Sequence, residues 1–194
     1  MTKEIFIDRN NTFFGDILDY LRKGSIDFSK YSKSDLEAIK EELDYYELVD
    51  VVSTIDEKLK EPVFTNFTFS GAYVTSGITV GTNKLEDISD RSLATGICAI
   101  SPGFIMFELN HEFDICGVEV GGYTGNTTYW ASSNGSGASI LISKDNITWS
   151  TVGTIPSNYA SQITSVVFAK VSGKYIKFNH NSYLGLGYCK IIKE

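Results

Sequence analysis

The first third of the chain places apolar residues at the spacing of α-helices, in which side chains three or four positions apart share one face. The pattern predicts a helix over residues 13–22, closed by Lys23 and Gly24, because glycine commonly ends a helix. It predicts a second helix that starts at Ser34 and a third that ends at Lys60. The apolar positions of the three helices are Phe14, Ile17, Leu18 and Leu21; Leu36, Ile39, Leu43 and Tyr46; and Leu48, Val52, Ile55 and Leu59.

Side chains that cap helices mark the predicted starts. Residues 10–12 (Asn-Asn-Thr) supply amide and hydroxyl groups for the first helix. Ser34 and Glu37 have the spacing of a capping box, in which each side chain binds a free backbone N–H of the other residue. Ahead of these helices, the residues from Glu4 to Ile7 are expected to form a short strand.

After Pro62 the pattern changes to short β-favouring runs separated by Gly, Ser, Thr and Asn. Partial alternation in residues 105–109 and 175–178 is typical of half-buried strands. Between two runs, Asn110, His111 and Glu112 are predicted to form a hairpin turn. About eight short strands with few helices indicate an antiparallel β-sandwich or jelly roll. The predicted strands are 63–69, 96–100, 104–109, 115–120, 138–143, 163–171, 175–179 and 188–192.

Composition and charge add a division of the chain. The 194 residues are 42% hydrophobic, which suits a folded protein with a substantial core. The net charge of −7 disfavours non-specific binding to nucleic acid, which requires clustered Lys and Arg. Residues 1–62 hold nine basic and fifteen acidic residues, a balance of −6, whereas residues 63–194 hold eight and nine, a balance of −1. We therefore predict two domains, 1–62 and 63–194.

Targeting signals and cysteines bear on the compartment. The sequence shows no signal peptide and no run of about 18 apolar residues that could span a membrane. Cys98, Cys116 and Cys189 are odd in number and widely spaced, which favours buried reduced thiols over a disulfide framework or a metal site. We expect a cytosolic protein without a cofactor.

Four segments of the first third follow the pattern of a known family. They are residues 5–9 (Ile-Phe-Ile-Asp-Arg), Phe14, residues 17–24 (Ile-Leu-Asp-Tyr-Leu-Arg-Lys-Gly) and residues 41–48 (Glu-Glu-Leu-Asp-Tyr-Tyr-Glu-Leu). Their order and gaps closely resemble the C-terminal half of a potassium-channel tetramerisation-type BTB/POZ domain, over about residues 4–52. The resemblance implies part of a BTB fold, with two or three helices, and self-association or docking to a protein partner.

The sequence departs from that family in two respects. The family's opening strands and helices, with the loop that some members use to contact cullin ubiquitin ligases, have no counterpart in this sequence. The zinc-binding His and Cys cluster of some channel members is also missing, because residues 1–62 contain neither residue type.

The later segments resemble a second family. Residues 138–153 (Ala-Ser-Ile-Leu-Ile-Ser-Lys-Asp-Asn-Ile-Thr-Trp-Ser-Thr-Val-Gly), 174–178 and 186–191 are similar to the middle and closing strands of discoidin (coagulation factor type C) domains. The resemblance covers about residues 63–194 and implies a galactose-binding-like jelly roll. We expect Asp145 and Asn146 to be turn residues and Trp149 to pack over the edge of the sandwich.

Loops held by a rigid sandwich are the natural place for a binding site. In the loop 123–137, aromatic rings stand beside amides and hydroxyls, a chemistry that suits a sugar or a peptide surface. The alternative is a solvated loop whose aromatic rings fold back onto the core. The candidate ligand-binding residues are Tyr123, Asn126, Tyr129, Trp130 and Asn134. In the loop 81–92, Glu86, Asp87 and Asp90 are weak candidates for calcium, which prefers oxygen ligands.

The sequence gives little support for catalysis. His111 and His180 lie far apart, and neither belongs to a catalytic triad or a metal-binding motif. We therefore expect a non-enzymatic interaction scaffold that forms a homo-oligomer or binds a protein partner. One alternative is a lectin-like, carbohydrate-binding module with a vestigial helical extension. Another is a purely structural remnant, in which the helices pack onto the sandwich.

Overall fold

The computed structural model of the chain describes residues 12–72, 74–75, 78–79, 81–125, 135–160 and 162–194. The chain divides into two compact units, Met1–Glu61 and Pro62–Glu194. The first is helical and the second is built of strands. Each unit has a hydrophobic core of its own. The strand expected at residues 4–7 and the capping residues Asn10 and Asn11 lie outside the described residues.

The described part of the helical unit contains the three predicted α-helices. They are α1 (Phe14–Lys23), α2 (Lys33–Tyr45) and α3 (Val49–Leu59). An ion pair of 2.7 Å between Lys40 Nζ and Asp56 Oδ1 joins α2 to α3 at the surface. The apolar stripes of the helices meet in the core, whose buried members are Phe13, Ile17, Phe28, Leu36, Ile39, Leu43, Val51, Val52 and Ile55.

The two ends of α1 differ in their capping. Gly24 adopts a left-handed backbone with φ of 75°, and its N–H donates to the Tyr20 carbonyl at 2.7 Å. This conformation favours glycine, so the predicted helix end is confirmed. The prediction that residues 10–12 supply the N-cap is wrong. The N-cap residue is Phe13, whose side chain makes no capping hydrogen bond.

The capping box of α2 lies two residues earlier than predicted. Ser32 has extended backbone, and its Oγ accepts a hydrogen bond from the Asp35 N–H at 3.2 Å. In return, the Asp35 carboxylate accepts one from the Ser32 N–H at 3.1 Å. The prediction of Ser34 and Glu37 was wrong because Ser34 already lies inside the helix. Both pairs have a Ser three residues before an acid, so spacing alone could not separate them.

The second unit is an antiparallel β-sandwich, as predicted. Its strands are β1 (Phe64–Phe69), β2 (Val74–Thr75), β3 (Ile78–Thr79), β4 (Ile97–Ala99), β5 (Gly103–Gly121), β6 (Ser139–Ser143), β7 (Ser150–Thr154), β8 (Thr164–His180), β9 (Leu184–Leu186) and β10 (Tyr188–Lys193). The largest sheet has the strand order β1-β5-β8-β6-β7, and β10 also pairs with β5. The smaller pairs are β2 with β3 and β4 with β9.

Two long strands replace four predicted short ones. β5 has 19 residues and β8 has 17, and they pair from Gly103 opposite His180 to Val120 opposite Thr164. The predicted hairpin turn at Asn110–Glu112 is wrong, because these residues continue β5. The polar run interrupts the apolar alternation at a register shift, but it does not reverse the chain.

One face of the large sheet lines the core of the sandwich. Along β5, Ile105, Phe107 and Leu109 are fully buried, and the residues between them are half-buried. This is the period of two expected when one face of a strand meets a core. The buried face continues across the neighbouring strands through Ile176, Phe178, Ile140 and Ile142. Burying each such side chain stabilises the fold by about 1.5–3 kcal/mol.

The three cysteines are free and separate in the fold. Cys98 on β4 and Cys189 on β10 are buried, as predicted, whereas Cys116 on β5 is half-buried. Burial raises the pKa of the Cys98 and Cys189 thiols well above the usual range. These two thiols therefore behave as small apolar core groups at neutral pH.

We predict that S32A destabilises the helical unit by about 1 kcal/mol, because the first turn of α2 loses its N-cap acceptor. Hydrogen exchange of the α2 amides, measured by mass spectrometry on the full chain, should accelerate. The control is S34A, which leaves the Asp35 N–H bonded and should change exchange little. Equal acceleration in both variants would contradict the assignment of Ser32 as the cap.

Candidate functional site

The candidate binding loops are joined at one end of the sandwich. Thr124, just after β5, donates from its N–H and its hydroxyl to the Leu93 carbonyl, at 2.6 and 2.9 Å. Gly122 donates from its N–H to the Tyr159 carbonyl at 2.8 Å. The start of the loop 123–137 is therefore fixed against the segment that precedes β4.

Tyr123 is the one ligand-binding candidate of this loop that lies in the described part of the chain. Its side chain is 5% exposed and packs with Cys98 and Tyr183. Burial raises the pKa of the Tyr123 hydroxyl. Most of its ring therefore faces the interior, as expected for a loop aromatic that folds back onto the core. The other four candidates, Asn126, Tyr129, Trp130 and Asn134, lie outside the described residues.

The three calcium candidates lie in and just after a short 3-10 helix, Glu86–Ile88. Both carboxylate oxygens of Asp90 accept hydrogen bonds, from the Ser92 N–H at 2.7 Å and the Thr95 hydroxyl at 3.0 Å. Asp87 Oδ2 is buried without a hydrogen-bond partner, and Glu86 is exposed. Among the described residues, no group of three or more His, Cys, Asp or Glu side chains is arranged to hold a metal ion. Calcium binding stays a prediction.

A pocket of about 470 Å³ lies beside this 3-10 helix. Its apolar walls come from the start of β1 and the residues before it, from Leu85 and from buried side chains of β10, and its charged groups are Glu86 and Lys190. Pockets of this kind, mostly apolar with a few polar groups, are where ligands are commonly bound. The lining residues are Pro62, Val63, Phe64, Leu85, Glu86, Ser89, Tyr188, Cys189, Lys190 and Ile191.

A charged cluster adjoins the pocket at Tyr188. The Arg91 guanidinium lies 5.2 Å from the centre of the Tyr188 ring and 3.9 Å from the Glu119 carboxylate. The Tyr188 hydroxyl donates to Glu119 Oε2 at 3.2 Å. Burial, followed by the nearby Glu119 charge, raises the pKa of Tyr188. The cluster holds the loop that contains Arg91 against β5 and β10.

The hairpin between β6 and β7 has the turn chemistry expected of Asp145 and Asn146. Asp145 Oδ1 accepts hydrogen bonds from the N–H groups of Ile147 and Thr148, at 2.9 and 2.8 Å, and from the Ser143 hydroxyl at 3.0 Å. Asn146 has a left-handed backbone with φ of 62°. These donors lower the pKa of Asp145 to about 2. The predicted turn roles are confirmed.

The described part of the helical unit, from residue 12 onward, exposes three large apolar side chains. They are Leu21 on α1 (60% exposed), Tyr45 at the end of α2 (58%) and Val49 at the start of α3 (71%). The rings of Phe14 and Tyr46 are 6.2 Å apart, which places the start of α1 beside the end of α2. Leu21 lies seven residues after Phe14, on the same face of α1. We call Leu21, Tyr45 and Val49 the helical surface.

Sequence reasoning singled out none of the helical surface, the pocket or the Tyr188 cluster as a site. Arg91 and Glu119 are 28 positions apart, and Tyr188 is 69 positions further on. Only the pairing of β10 with β5 brings Tyr188 close to Glu119. The exposed positions of the helical surface are apolar in the sequence, but the helical period alone assigned Leu21 to a packed stripe.

The fold is a helical unit similar to part of a BTB/POZ domain, followed by a β-sandwich that resembles discoidin folds. A family model for the BTB/POZ domain matches residues 1–55, which confirms the first resemblance. No curated protein matches the chain in sequence. No helix in the described ranges is long and apolar enough to cross a membrane.

Solved structures similar to this chain confirm the second resemblance. One is the CBM32 domain of AlyQ in complex with 4,5-unsaturated mannuronic acid, at 21% identity and a TM-score of 0.53, over 69% of this chain and 98% of that one. Another is a pectin-binding carbohydrate-binding module, at 18% identity and a TM-score of 0.52, over 67% and 91%. A third is a truncated AlyQ with CBM32 and alginate lyase domains, at 19% identity and a TM-score of 0.51. That match covers 68% of this chain and 32% of that one. At these identities the likeness shows the fold alone.

We predict that the Asp145 carboxylate titrates near pH 2, as its three hydrogen bonds require. Because the pKa is lowered by folding, the stabilisation is full above the ordinary value of 3.8 and is lost as the pH falls through about 2. Carbon-detected NMR of the carboxyl group measures this midpoint. In S143A, which removes one donor, the midpoint should move up. A midpoint near 3.8 in the unaltered chain would refute the turn chemistry.

Proposed function

We propose that the chain is a non-enzymatic interaction scaffold that self-associates through its helical unit and recognises a partner or ligand through its sandwich. The BTB/POZ match over residues 1–55 carries the proposal, since domains of this type mediate protein–protein contacts. In this view residues 1–62 and 63–194 act as separate domains, one for assembly and one for recognition. We place the protein in the cytosol, which suits free cysteines.

The helical surface supports self-association. Exposed apolar groups that lie close together are typical of surfaces that bind another protein, and Tyr45 and Val49 are four residues apart. We propose that a second copy of the helical unit binds this surface. Tyr45 and Val49 lie close in sequence at the junction of α2 and α3. In a symmetric dimer, each of them can contact the same residues of the other copy. Since residues 1–62 carry a net charge of −6, apolar contact must outweigh charge repulsion between the copies. Added salt should therefore strengthen the assembly.

Linked copies would also make weak recognition effective. When several sandwiches are held together, the second and later binding events become intramolecular and overall affinity rises by avidity. A scaffold of this kind needs no strong single site on the sandwich. Avidity would therefore suit a sandwich whose pocket, beside the 3-10 helix, is of moderate size.

We predict that the triple variant L21S/Y45S/V49S lowers the solution mass of the full chain to that of one copy, 21.5 kDa. Light scattering on a sizing column measures the mass. The matched control is I147S, because Ile147 is 83% exposed but belongs to the sandwich. If the triple variant keeps the mass of the unaltered chain, the helical surface is not the contact.

Carbohydrate binding is the second candidate function. The observation that favours it is the sandwich fold, which is shared with modules described as bound to mannuronic acid and as binding pectin. The ligand would be held by the loop 123–137, where Tyr129 and Trp130 offer aromatic faces and Asn126 and Asn134 offer amides.

We predict that a glycan array detects binding by the full chain and that Y129A/W130A removes the signal, because the sugar loses its stacking surfaces. The array is run with and without calcium, which also tests Glu86, Asp87 and Asp90. The control is Y175A, whose aromatic ring lies outside the loop. A silent array under both conditions excludes this function for the sugars presented.

A further inference from the structure

The large sheet has a second face, opposite the core. Neighbouring side chains along a strand point to opposite faces, so the residues between the buried ones share this open face. In the strand register, Met106 pairs with Lys177 and Lys177 pairs with Leu141. On the edge strand, Thr151 pairs with Leu141. These four residues form a continuous row, which we call the open-face row.

Lys177 is the charged member of this row, and it lies over an aromatic ring. Its Nζ is 4.1 Å from the centre of the Trp149 ring, which is within cation–π distance. Trp149 is half-buried and stands one residue before β7. Burial lowers the pKa of Lys177, so its ammonium has lost part of its hydration. The indole keeps the ammonium in a fixed position on the sheet.

Lys177 lacks the carboxylate partner that five other basic residues of the sandwich have in the described part of the chain. In the described part of the chain, no carboxylate oxygen lies within 4 Å of Lys177 Nζ, although the side chain is half-buried. A partly dehydrated cation without a counter-ion is costly unless an anion or water supplies the missing bonds. The basic residues that do have a partner are Lys84, Arg91, Lys144, Lys170 and Lys174.

We propose that Lys177, held by Trp149, binds the carboxylate of an acidic sugar, a hexuronate within a polysaccharide, on the open face of the large sheet. The ammonium supplies the charge that such a carboxylate needs. The occupant is a sugar because the row offers apolar side chains, Met106 and Leu141, to the C–H groups of its ring. Two residues along from Lys177, exposed Asn179 pairs with Ser139, and both can bond ring hydroxyls.

The charge balance favours a carboxylate over a nucleic acid or a phosphorylated ligand. One unpaired ammonium matches a single negative charge, whereas phosphate recognition commonly uses Arg clusters. The site is separate from the loop 123–137, and the inference holds whether or not the helical unit self-associates.

Calorimetry on the full chain tests the site with a short oligogalacturonate as the probe. Its methyl ester is the matched ligand, because esterification removes the negative charge and adds only a methyl group. We expect the acid to bind at least about tenfold more tightly than the ester, since charge-assisted hydrogen bonds are the stronger kind. K177Q should lose that advantage. K174Q should keep it, because Lys174 is already paired with Glu108 at 2.8 Å.

Two results would overturn the proposal: equal binding of acid and ester, including no binding of either, or unchanged binding by K177Q. If K177Q fails to fold, amide shifts in NMR spectra of the unaltered chain decide the question. Shifts centred on Leu141, Thr151 and Lys177 support the open-face row, and shifts confined to residues 123–137 overturn it. Light scattering on the same samples reports self-association separately, so failure of one proposal is distinguishable from failure of the other.

Discussion

The pairing of β5 with β8 is the interaction on which the rest of the sandwich depends. The two strands exchange backbone hydrogen bonds from one end of the fold to the other. β1 and β10 attach to the two halves of β5, and β6 attaches to β8. The core side chains and the open-face row are the two faces of this one sheet. Displacing the register by one residue would exchange the two faces.

Close approach between chains restricts the residues at two points of this pairing. A side chain on Gly117 would lie 2.8 Å from the Val166 carbonyl oxygen, and one on Gly173 would lie 2.2 Å from Ile142 Cγ2. Both glycines lie near the register shifts of β5 and β8. A larger residue at either position would have to displace the chain that it faces, so glycine allows the two strands to stay closely packed there.

Local chemistry could be predicted from the sequence, but long-range contact could not. Gly24 and Asp145 act within one turn of the chain, so their roles follow from residue type and neighbours. Ser34 was predicted as the cap in place of Ser32. Both serines precede an acid by three residues, so the sequence could not separate them. Asn110–Glu112 were assigned to a turn because a bulge within a strand and a hairpin both interrupt the apolar alternation. The fold class was predictable because short strands and turn residues alternate over most of residues 63–194.

The candidate sites are harder to predict because they combine distant segments. Trp149 and Lys177 are 28 residues apart and meet only after β6 pairs with β8 and with β7. Tyr123 was predicted to present its ring to a ligand, but the ring packs with Cys98 on β4 and with Tyr183 and is buried. An aromatic residue in a polar loop looks the same in sequence whether its ring is exposed or buried. Only burial in the folded chain separates the two cases.

If the helical unit assembles copies of the chain and the sandwich binds their ligand, the full chain is an oligomer in solution. Native mass spectrometry of the full chain across a range of concentrations decides this, because it counts the copies in each particle. We expect one dominant closed oligomer whose mass is a fixed multiple of 21.5 kDa. A single-copy mass at every concentration would contradict assembly through the helical unit.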